Sequence, residues 1–293
     1  MTQLLNGNRL AIEIKKEISK EIDKNIRNKK KRIPHLGIIL LGNNSSSITY
    51  VNSKIKECKN LGLRSTLVHL TVEISELELL KEIQKMNENS LIDGFIIQLP
   101  IPKHINTDNI ILAINPKKDV DGFHPENFGK MSLNMKTFLP ATALGILVLL
   151  ERYKIKISGK NTVVIGRSRI VGLPISILMS RKNYLGNSTV TLTHSYTKNI
   201  ENYTKNADII IISVGIPGFL TGKMIKKGSI IIDVGINKVK NKKKFILKGD
   251  VDFNSVYGKA SYLTPVPGGV GPMTRIMLIK NILIAAALNN KKK

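Results

Sequence analysis

The stretch NTVVIGRSRIVGLP, residues 161–174, decides the fold class of this chain. A β-branched run over residues 162–165 ends at Gly166, and an apolar helical pattern follows Gly172 and Pro174. In α/β proteins, a strand, a glycine turn and a helix in this order point backbone N–H groups and a helix N-terminus at a phosphate. The two glycines are six positions apart and do not match the G-x-G-x-x-G fingerprint. The stretch therefore indicates either a nucleotide site or only a tight strand-to-helix connection.

Further apolar runs predict more strands of the same sheet type. They occupy residues 36–41, 93–100, 208–215 and 229–236, and such runs are typical of strands buried on both faces of a parallel sheet. The length of 293 residues favours two domains. We therefore predict an α/β protein in which a Rossmann-like, doubly wound parallel sheet and a second α/β domain flank a cleft. The predicted boundaries are 1–122 for the second domain, completed by a C-terminal helix over 272–293, and 140–271 for the nucleotide-binding domain.

Two local patterns add elements to this outline. Isoleucines recur every four positions at residues 14, 18 and 22, which predicts an amphipathic helix over residues 8–28. Lysines 242–244 interrupt the sequence between two short runs, and we place them at the tip of a hairpin.

The formal net charge of +25 invites a nucleic-acid-binding interpretation, because lysines neutralise phosphates and release counterions. The lysines are spread along the chain, however, and the densest runs lie at apparent loops or ends. Aromatic residues make up only 5% of the chain and do not interleave with the lysines. We therefore expect no nucleic-acid partner, although a diffuse positive field favours small polyanions.

Cysteine and histidine content bounds the other function classes. A single cysteine, Cys58, excludes an internal disulfide and a Cys-rich metal site. The five histidines show no ligand spacing, so we predict no metal. No run reaches about 18 uninterrupted apolar residues, and the N-terminus lacks the layout of a signal peptide. We expect a cytoplasmic protein without a membrane partner.

The helix predicted after the strand at 36–41 carries a candidate catalytic pair. Its apolar stripe is Val51, Ile55 and Cys58, and Tyr50 and Lys54 share a face about 100° round from that stripe. A ring beside an ammonium at the carboxyl end of a strand can stack on a planar heterocycle while the amine moves a proton. The alternative is that Tyr50 is a boundary residue and Lys54 a solvated lysine.

Polar residues at two other strand ends extend this candidate site. Gln98 closes the run at 93–100, and it is a poor core residue because a buried amide needs several partners. We expect it at the same sheet edge as Tyr50 and Lys54. Asp119 and Asp121 lie two apart in a turn, where they either cap the backbone or leave one carboxylate facing a ligand.

The segment after the second predicted nucleotide-domain strand favours NADP. An NAD site usually carries an acid about 20 residues after the glycines, where it binds the ribose hydroxyls. Residues 194–198 read HSYTK, with no carboxylate and several hydrogen-bond donors. This pattern favours a 2′-phosphate, with Arg167 and Ser168 as further donors.

Five motifs, in this order, carry a family resemblance over nearly the whole chain. They are YVNSK (50–54), DGFIIQLPIP (93–102), KDVDGFHP (118–125), GRSRIVGLP (166–174) and TPVPGGVGPMT (264–274). Together they closely resemble the bifunctional methylenetetrahydrofolate dehydrogenase/cyclohydrolase family. The resemblance implies a two-domain α/β homodimer that acts in one-carbon metabolism and purine biosynthesis. It also implies oxidation of 5,10-methylenetetrahydrofolate with NADP and hydrolysis of the methenyl product to 10-formyltetrahydrofolate, on substrates with or without a polyglutamate tail.

The resemblance also implies a role for each matched residue. Lys54 would be the general acid/base, Gln98 its assistant, Tyr50 a stacking partner of the pterin and Asp121 the residue that holds the pterin ring. Gly166, Arg167 and Ser168 would contact NADP, with Ser195 near the 2′-phosphate and Ile236 near the cofactor.

One departure from the family pattern bears on cofactor choice. Tyr196 stands where a basic residue is frequent, which leaves Arg167 to carry the NADP preference. Two alternatives remain: a short-chain dehydrogenase, which also uses Tyr-x-x-x-Lys, and a basic nucleic-acid-binding protein. In short-chain dehydrogenases the pair follows the nucleotide turn, whereas here it precedes Gly166 by more than a hundred residues.

Overall fold

The computed structural model of the protein describes residues 1–24, 32–241 and 244–289. The α-helices are α1 (Gly7–Ile22), α2 (Ser45–Asn60), α3 (Glu76–Glu88), α4 (Thr107–Ala113), α5 (Pro125–Ser132), α6 (Ala141–Arg152), α7 (Gly172–Ser180), α8 (Ile200–Thr204), α9 (Phe253–Val256) and α10 (Val270–Asn289). The strands are β1 (Gln3–Leu4), β2 (His35–Leu41), β3 (Arg64–Leu70), β4 (Gly94–Ile97), β5 (Asn161–Ile165), β6 (Thr189–Thr193), β7 (Ile209–Ile212), β8 (Ile230–Asp233), β9 (Asn237–Asn241), β10 (Lys244–Lys248) and β11 (Tyr262–Leu263).

The chain divides into two compact units. Residues 1–12 and 142–274 form the six-stranded unit, and residues 13–141 and 275–293 form the three-stranded unit. The division falls inside α1 and again inside α10, so each unit is built from two separate segments of chain.

The six-stranded unit contains a parallel sheet with the strand order β1-β11-β8-β7-β5-β6. From β5 the chain adds β6 on one side and β7, β8 and β11 on the other, so a topological switch point lies between β5 and β7. Crevices at such points, outside the carboxyl ends of the strands, are where open α/β sheets bind ligands. The predicted doubly wound parallel sheet is confirmed.

The first residues of the chain lie elsewhere than predicted. Residues 1–12 were expected in the second domain, but β1 pairs with β11 at the edge of the six-stranded sheet. The Leu5 N–H donates to the Leu263 carbonyl at 2.9 Å, and the Thr2 hydroxyl donates to the Ala260 carbonyl at 2.7 Å. The short β11 strand would otherwise leave its edge unpaired, and a two-residue strand carries no periodicity that a sequence pattern can show.

The three-stranded unit contains a parallel sheet with the strand order β3-β2-β4. β2 is central and its apolar residues are buried, and α3 and α4 pack their apolar faces on the same core. Gly37 allows this close packing, because a Cβ there would lie 2.8 Å from the Phe95 Cβ. The carboxyl ends of the three strands therefore meet at one edge, where α2 begins after β2.

The structure refines several predicted elements. The predicted helix over residues 8–28 is observed as α1 from Gly7 to Ile22, and residues 25–28 lie outside the described residues. The predicted hairpin is present as the antiparallel pair β9–β10. Of the predicted tip, lysines 242–244, Lys242 and Lys243 lie outside the described residues, and Lys244 begins β10. Helix α5 was not predicted; it begins after His124, whose imidazole Nδ1 accepts the Glu126 N–H at 3.1 Å.

Helix α10 is long and apolar enough to cross a membrane by length and composition, but 61% of its most apolar window is buried inside the protein. A buried core helix has the same composition. Its buried polar residue, Asn281, donates its amide to the Val120 carbonyl at 2.8 Å and to the Leu139 carbonyl at 3.0 Å. These bonds join α10 to the turn that contains Asp121.

Replacing Asn281 should therefore weaken the three-stranded unit. We expect Asn281→Ala to lower the free energy of unfolding by about 1–3 kcal/mol, because two buried carbonyls lose their donor. Urea unfolding measures this loss. Asn289→Ala on the same helix is the matched control, since its amide reaches Asp93 only at 3.3 and 3.5 Å. Equal effects of the two substitutions would contradict the assignment.

Candidate active site

Helix α2 positions the candidate catalytic lysine. The helix begins after Asn44, whose side-chain oxygen accepts the N–H groups of Ser46 and Ser47 at 3.0 and 3.1 Å. Its buried residues are Ser47, Val51, Lys54 and Cys58. The predicted stripe was wrong in one respect: Lys54 lies in the buried stripe, at the position next to the half-buried Ile55, and not on a separate face.

Lys54 is held in an enclosed polar site. Only 8% of its surface is exposed, and its Nζ donates to the Gln98 Oε1 at 3.1 Å. The same Nζ lies 5.5 Å from the centroid of the Tyr50 ring, within the range of a cation–π contact. Burial lowers the pKa of the Lys54 ammonium, and the nearby Asp121 carboxylate opposes this effect. The interpretation of Lys54 as a solvated lysine is therefore excluded.

Gln98 is fixed so that its oxygen faces the lysine. Its backbone N–H donates to the Ile39 carbonyl at 2.9 Å, directly after β4, and its side-chain Nε2 donates to the Leu99 carbonyl at 2.7 Å. With the amide nitrogen engaged, Oε1 is left as the acceptor for Lys54. The structure thus brings Gln98, Tyr50 and Lys54 together at one sheet edge, as the sequence predicted.

The two acids of the KDVDG turn have different environments. Asp119 is buried and caps the turn, since its Oδ1 accepts the Gly122 N–H at 3.1 Å and its Oδ2 accepts the His124 N–H at 2.8 Å and the Asn127 amide at 2.9 Å. Asp121 is half-buried and acts on Lys54 through its charge. Burial raises the pKa of Asp121 to about 6, with Lys54 opposing the rise and Asp119 adding to it. The capping alternative therefore holds for Asp119, and the ligand-facing role of Asp121 stays a prediction.

This arrangement suits proton transfer near neutral pH. Because the pKa of the lysine is lowered and that of the carboxyl is raised, the two pKa values lie closer together than those of the free side chains in water. The Tyr50 ring beside them offers an apolar face on which a planar heterocycle can stack.

In the glycine turn of the six-stranded unit, residues 166–172, backbone segments approach one another closely. Gly166 has φ +107°, and a Cβ there would lie 2.3 Å from the Ser213 carbonyl oxygen at the end of β7. A Cβ on Gly172 would lie 1.8 Å from the Gly166 carbonyl oxygen. The Ser168 Oγ accepts the Val171 N–H at 3.1 Å, where α7 begins. Only glycine fits these two positions, which explains their spacing in the sequence.

Predicted phosphate-binding residues lie around this turn. Arg167 and Ser168 are exposed in it, and the Gly166 N–H donates to the Thr193 carbonyl at 2.9 Å, which places the end of β6 beside it. The exposed Ser195 follows Thr193 in a turn closed by the Thr197 N–H, which donates to the His194 carbonyl at 2.8 Å. Side-chain donors and backbone thus meet at the carboxyl ends of neighbouring strands.

Ile236 occupies a different strand end. It follows β8, which is separated from β5 by β7, and it is half exposed. A Cβ on Gly271, at the start of α10, would lie 3.7 Å from the Ile236 Cδ1. The predicted nucleotide residues therefore lie along one edge of the sheet, with Ile236 on the far side of the switch point from Ser195.

Sequence analysis missed the buried acids of this unit. Asp233 and Asp250 are almost fully enclosed and bind backbone N–H groups. Each stands next to a run of apolar or glycine residues, which resembles an ordinary strand end. Asp233 also lines a cavity of about 520 Å³ with Pro217, Leu247 and Phe253. In the part of the chain that the structure describes, no group of three His, Cys, Asp or Glu side chains could hold a metal ion.

Comparison with known proteins identifies the family. A model described as tetrahydrofolate dehydrogenase/cyclohydrolase, catalytic domain, matches residues 5–121, and one described as the NAD(P)-binding domain of the same family matches residues 140–290. The chain belongs to the tetrahydrofolate dehydrogenase/cyclohydrolase family. Lys54, Gln98 and Asp121 fall in the first match, and the glycine turn falls in the second.

Individual members of the tetrahydrofolate dehydrogenase/cyclohydrolase family match over their full length. The bifunctional protein FolD of Flavobacterium johnsoniae is 55% identical over 293 residues, covering 99% of both chains. The bifunctional FolD enzyme of Campylobacter jejuni superposes with a TM-score of 0.92 at 42% identity, over 98% of this chain and 99% of that one. The Trypanosoma brucei FolD, solved with NADP cofactor and inhibitor, superposes with a TM-score of 0.94 at 34% identity, over 99% of each chain.

These matches confirm the predicted family and the two-domain α/β fold. They also favour the bifunctional dehydrogenase over the short-chain dehydrogenase and the nucleic-acid-binding protein, since both family models and the full-length relatives agree. The roles of individual site residues stay predictions.

Burial of Lys54 predicts a pH-dependent stability difference. Its folded-state pKa lies below that of the unfolded chain, so the unfolded chain binds more protons between the two values and stability rises with pH there. Lys54→Met removes this gain, and the freed Asp121 acts in the same direction. We expect the variant's unfolding free energy, relative to wild type, to be lower at pH 9.5 than at pH 7.5, because both values lie below the ordinary lysine pKa of about 10.4, and the difference changes by at most about 1.4 kcal/mol per pH unit.

Urea unfolding at both pH values measures this difference. Lys59→Met, which changes an exposed lysine on the same helix, is the matched control and should show a constant difference. A constant difference for Lys54→Met as well would mean that burial does not lower the lysine's pKa.

Proposed function

We propose that this protein oxidises 5,10-methylenetetrahydrofolate to the 5,10-methenyl form by hydride transfer to NADP and hydrolyses the product to 10-formyltetrahydrofolate. One observation carries the proposal: the region matched by the family's catalytic-domain model encloses a buried lysine bound to Gln98 beside Tyr50 and Asp121. The two activities are those in the family's description and in the names of the full-length relatives.

The six-stranded unit fits NADP. Gly166 and Gly172 allow the tight turn before α7, because a Cβ at either position would collide with backbone, and α7 directs N–H groups from its first turn. Arg167, Ser168 and Ser195 supply donors for a 2′-phosphate, and residues 194–198 contain no carboxylate to repel one. When bound, the cofactor supplies the hydride acceptor. Ile236 provides an apolar surface at the neighbouring strand end.

Lys54 is suited to the hydrolytic step. Water loses one proton as it adds to the methenyl carbon. When the bond from that carbon to N5 breaks, N5 gains a proton, and the new hydroxyl releases its own proton to solvent as the formyl C=O forms. A lysine whose pKa is lowered by burial gives up its proton more readily than a free lysine, so Lys54 can accept the proton from water and return it to N5. The Gln98 oxygen holds Nζ in place, because it accepts the bond at 3.1 Å while its own amide nitrogen is engaged.

Tyr50 and Asp121 bind the substrate in this proposal. The Tyr50 ring stacks on the pterin, and the Asp121 carboxylate accepts hydrogen bonds from the pterin's amino and ring N–H groups. The same carboxylate attracts the Lys54 ammonium. Substrate that engages Asp121 therefore weakens the charge that keeps Lys54 protonated, which favours the neutral amine during hydrolysis.

We also propose that the protein is a cytoplasmic homodimer of one-carbon metabolism that supplies purine biosynthesis, with no nucleic-acid or membrane partner. The family resemblance supports the dimer, and the exposed Phe245 and Leu247 on β10 offer apolar surface for a second copy. Light scattering after size exclusion tests the dimer, with a monomer mass as the contrary result.

The central experiment is an assay of the purified protein with 5,10-methylenetetrahydrofolate. We expect reduction of NADP at a higher kcat/KM than NAD, together with accumulation of 10-formyltetrahydrofolate. Salt-sensitive oligonucleotide binding without any NADP reduction would instead identify the protein as a nucleic-acid binder.

Replacing Lys54 should abolish cyclohydrolase activity without affecting NADP binding. We expect Lys54→Met to lower the cyclohydrolase rate at least about 100-fold, because proton transfer is lost. NADP affinity should stay within about twofold of wild type, as a fluorescence titration would show. Lys59→Met should keep both. Normal formation of the 10-formyl product by Lys54→Met would remove Lys54 from the mechanism.

Arg167 should determine cofactor choice. We expect Arg167→Ala to raise KM for NADP about tenfold or more and to leave KM for NAD within about twofold, because only NADP carries the 2′-phosphate. Arg169→Ala makes the same charge change two residues away and is the matched control. An unchanged NADP-to-NAD ratio in Arg167→Ala would mean that another residue recognises the phosphate.

A further inference from the structure

Two buried carboxylates lie where the loops after β7 and β8 meet. They belong to Asp233, the last residue of β8, and to Asp250, which follows β10. Asp250 is fully buried and Asp233 is 4% exposed. Buried carboxylates are destabilising unless their oxygens are hydrogen-bonded, so the groups that these oxygens bind indicate what the acids do.

Asp250 ties two loops together. Its Oδ2 accepts the Val214 N–H at 2.6 Å and the Gly215 N–H at 3.0 Å, just after β7. Its Oδ1 accepts the Asn237 side-chain amide at 2.7 Å, at the start of β9. A single carboxylate thus sets the distance between the loop after β7 and the loop after β8.

Asp233 holds Asp250 and the loop after β8. Its Oδ1 accepts the N–H groups of Gly235 and Asp250, both at 2.9 Å, and its Oδ2 accepts the Val251 N–H at 3.0 Å. Gly249 makes room for this carboxylate, because a Cβ there would lie 1.8 Å from the Asp233 Oδ2. Burial raises the pKa of Asp233 to about 6, against the three backbone bonds that lower it.

The tied loops include predicted cofactor-binding positions. Ile236 lies between Gly235, held by Asp233, and Asn237, held by Asp250. On the other loop, Val214 follows Ser213, whose carbonyl oxygen lies against Gly166 of the glycine turn. Both loops leave the sheet at the carboxyl ends of strands on one side of the switch point.

From this geometry we infer that Asp250, supported by Asp233, is a positioning residue that sets where Ile236 and the Val214–Gly215 backbone meet the nicotinamide dinucleotide. The inference rests on the proposed function, because it concerns the NADP site of that reaction. Hydride transfer requires near-contact alignment of donor and acceptor, so displacement of the loops weakens cofactor binding and hydride transfer. Asp250 itself touches no substrate in this account and acts through the backbone and through Asn237.

The test compares NADP-dependent and NADP-independent reactions of the same full-length variants. We expect Asp250→Asn to raise KM for NADP about tenfold or more, because an amide nitrogen replaces one of the oxygens that accept three donors. Asn237→Ala removes one of those three bonds and should raise KM about threefold. Cyclohydrolase activity on methenyltetrahydrofolate without nucleotide should stay within about twofold for both variants.

Two further variants make the assignment specific. Asp252→Asn is the matched control, because it makes the same change two residues away, on a carboxylate that forms no capping bond with α9, and should leave KM for NADP unchanged. The double variant Asn237→Ala/Asp250→Asn should raise KM for NADP by less than the product of the two single effects, because both substitutions act on the same hydrogen-bonded group. Should Asp250→Asn fail to fold, Asn237→Ala, at a half-buried position, carries the test.

Results that contradict the positioning role differ from those that contradict the proposed function. A parallel fall of kcat in both reactions with KM for NADP unchanged would mean that Asp250 only stabilises the fold, and unchanged kinetics would remove the inference altogether. If wild-type protein shows no NADP-dependent oxidation, the proposed function fails first. If wild type is active and the variants match it, only the positioning role fails.

Discussion

Burial of the Lys54 ammonium is the interaction on which the chemistry of this protein depends. The side chain lies in the buried stripe of α2, in a position that an apolar residue would fill at lower free-energy cost. The cost is offset by the Gln98 oxygen, the Tyr50 ring and the Asp121 charge. Each compensating group comes from a different element, so the three-stranded sheet serves to bring them to one lysine.

The sequence predicted the strands and the general location of the site well. Near-continuous apolar runs such as residues 208–215 mark buried parallel strands whatever their neighbours are, and the glycine turn at Gly166 needs a residue without a Cβ. The family motifs named residues that the structure then brings together, including Gln98 at the lysine. These features depend on local chemistry, which a sequence shows directly.

What could not be predicted depends on contacts distant in the sequence. Lys54 was assigned to a side face of α2, because helical periodicity counts lysine as polar and takes no account of an acceptor 44 residues away. The sequence could not show which of Asp119 and Asp121 caps the turn, since the two acids differ only in the N–H groups that surround them. Asp250 gave no signal, because its donors lie on loops 13 to 36 residues earlier.

The pairing of β1 with β11 and the passage of α10 into the three-stranded unit mean that neither unit is a continuous piece of chain. A fragment that starts at residue 140 lacks the edge strand of its own sheet. A fragment that stops at residue 122 lacks the Asn281 amide that binds the Val120 carbonyl. The segments of the two units thus alternate along the polypeptide, and simple truncation cannot separate them. Joining the ends and opening the chain elsewhere would not change this, because residues 1–12, 13–141, 142–274 and 275–293 also alternate between the two units around a closed chain.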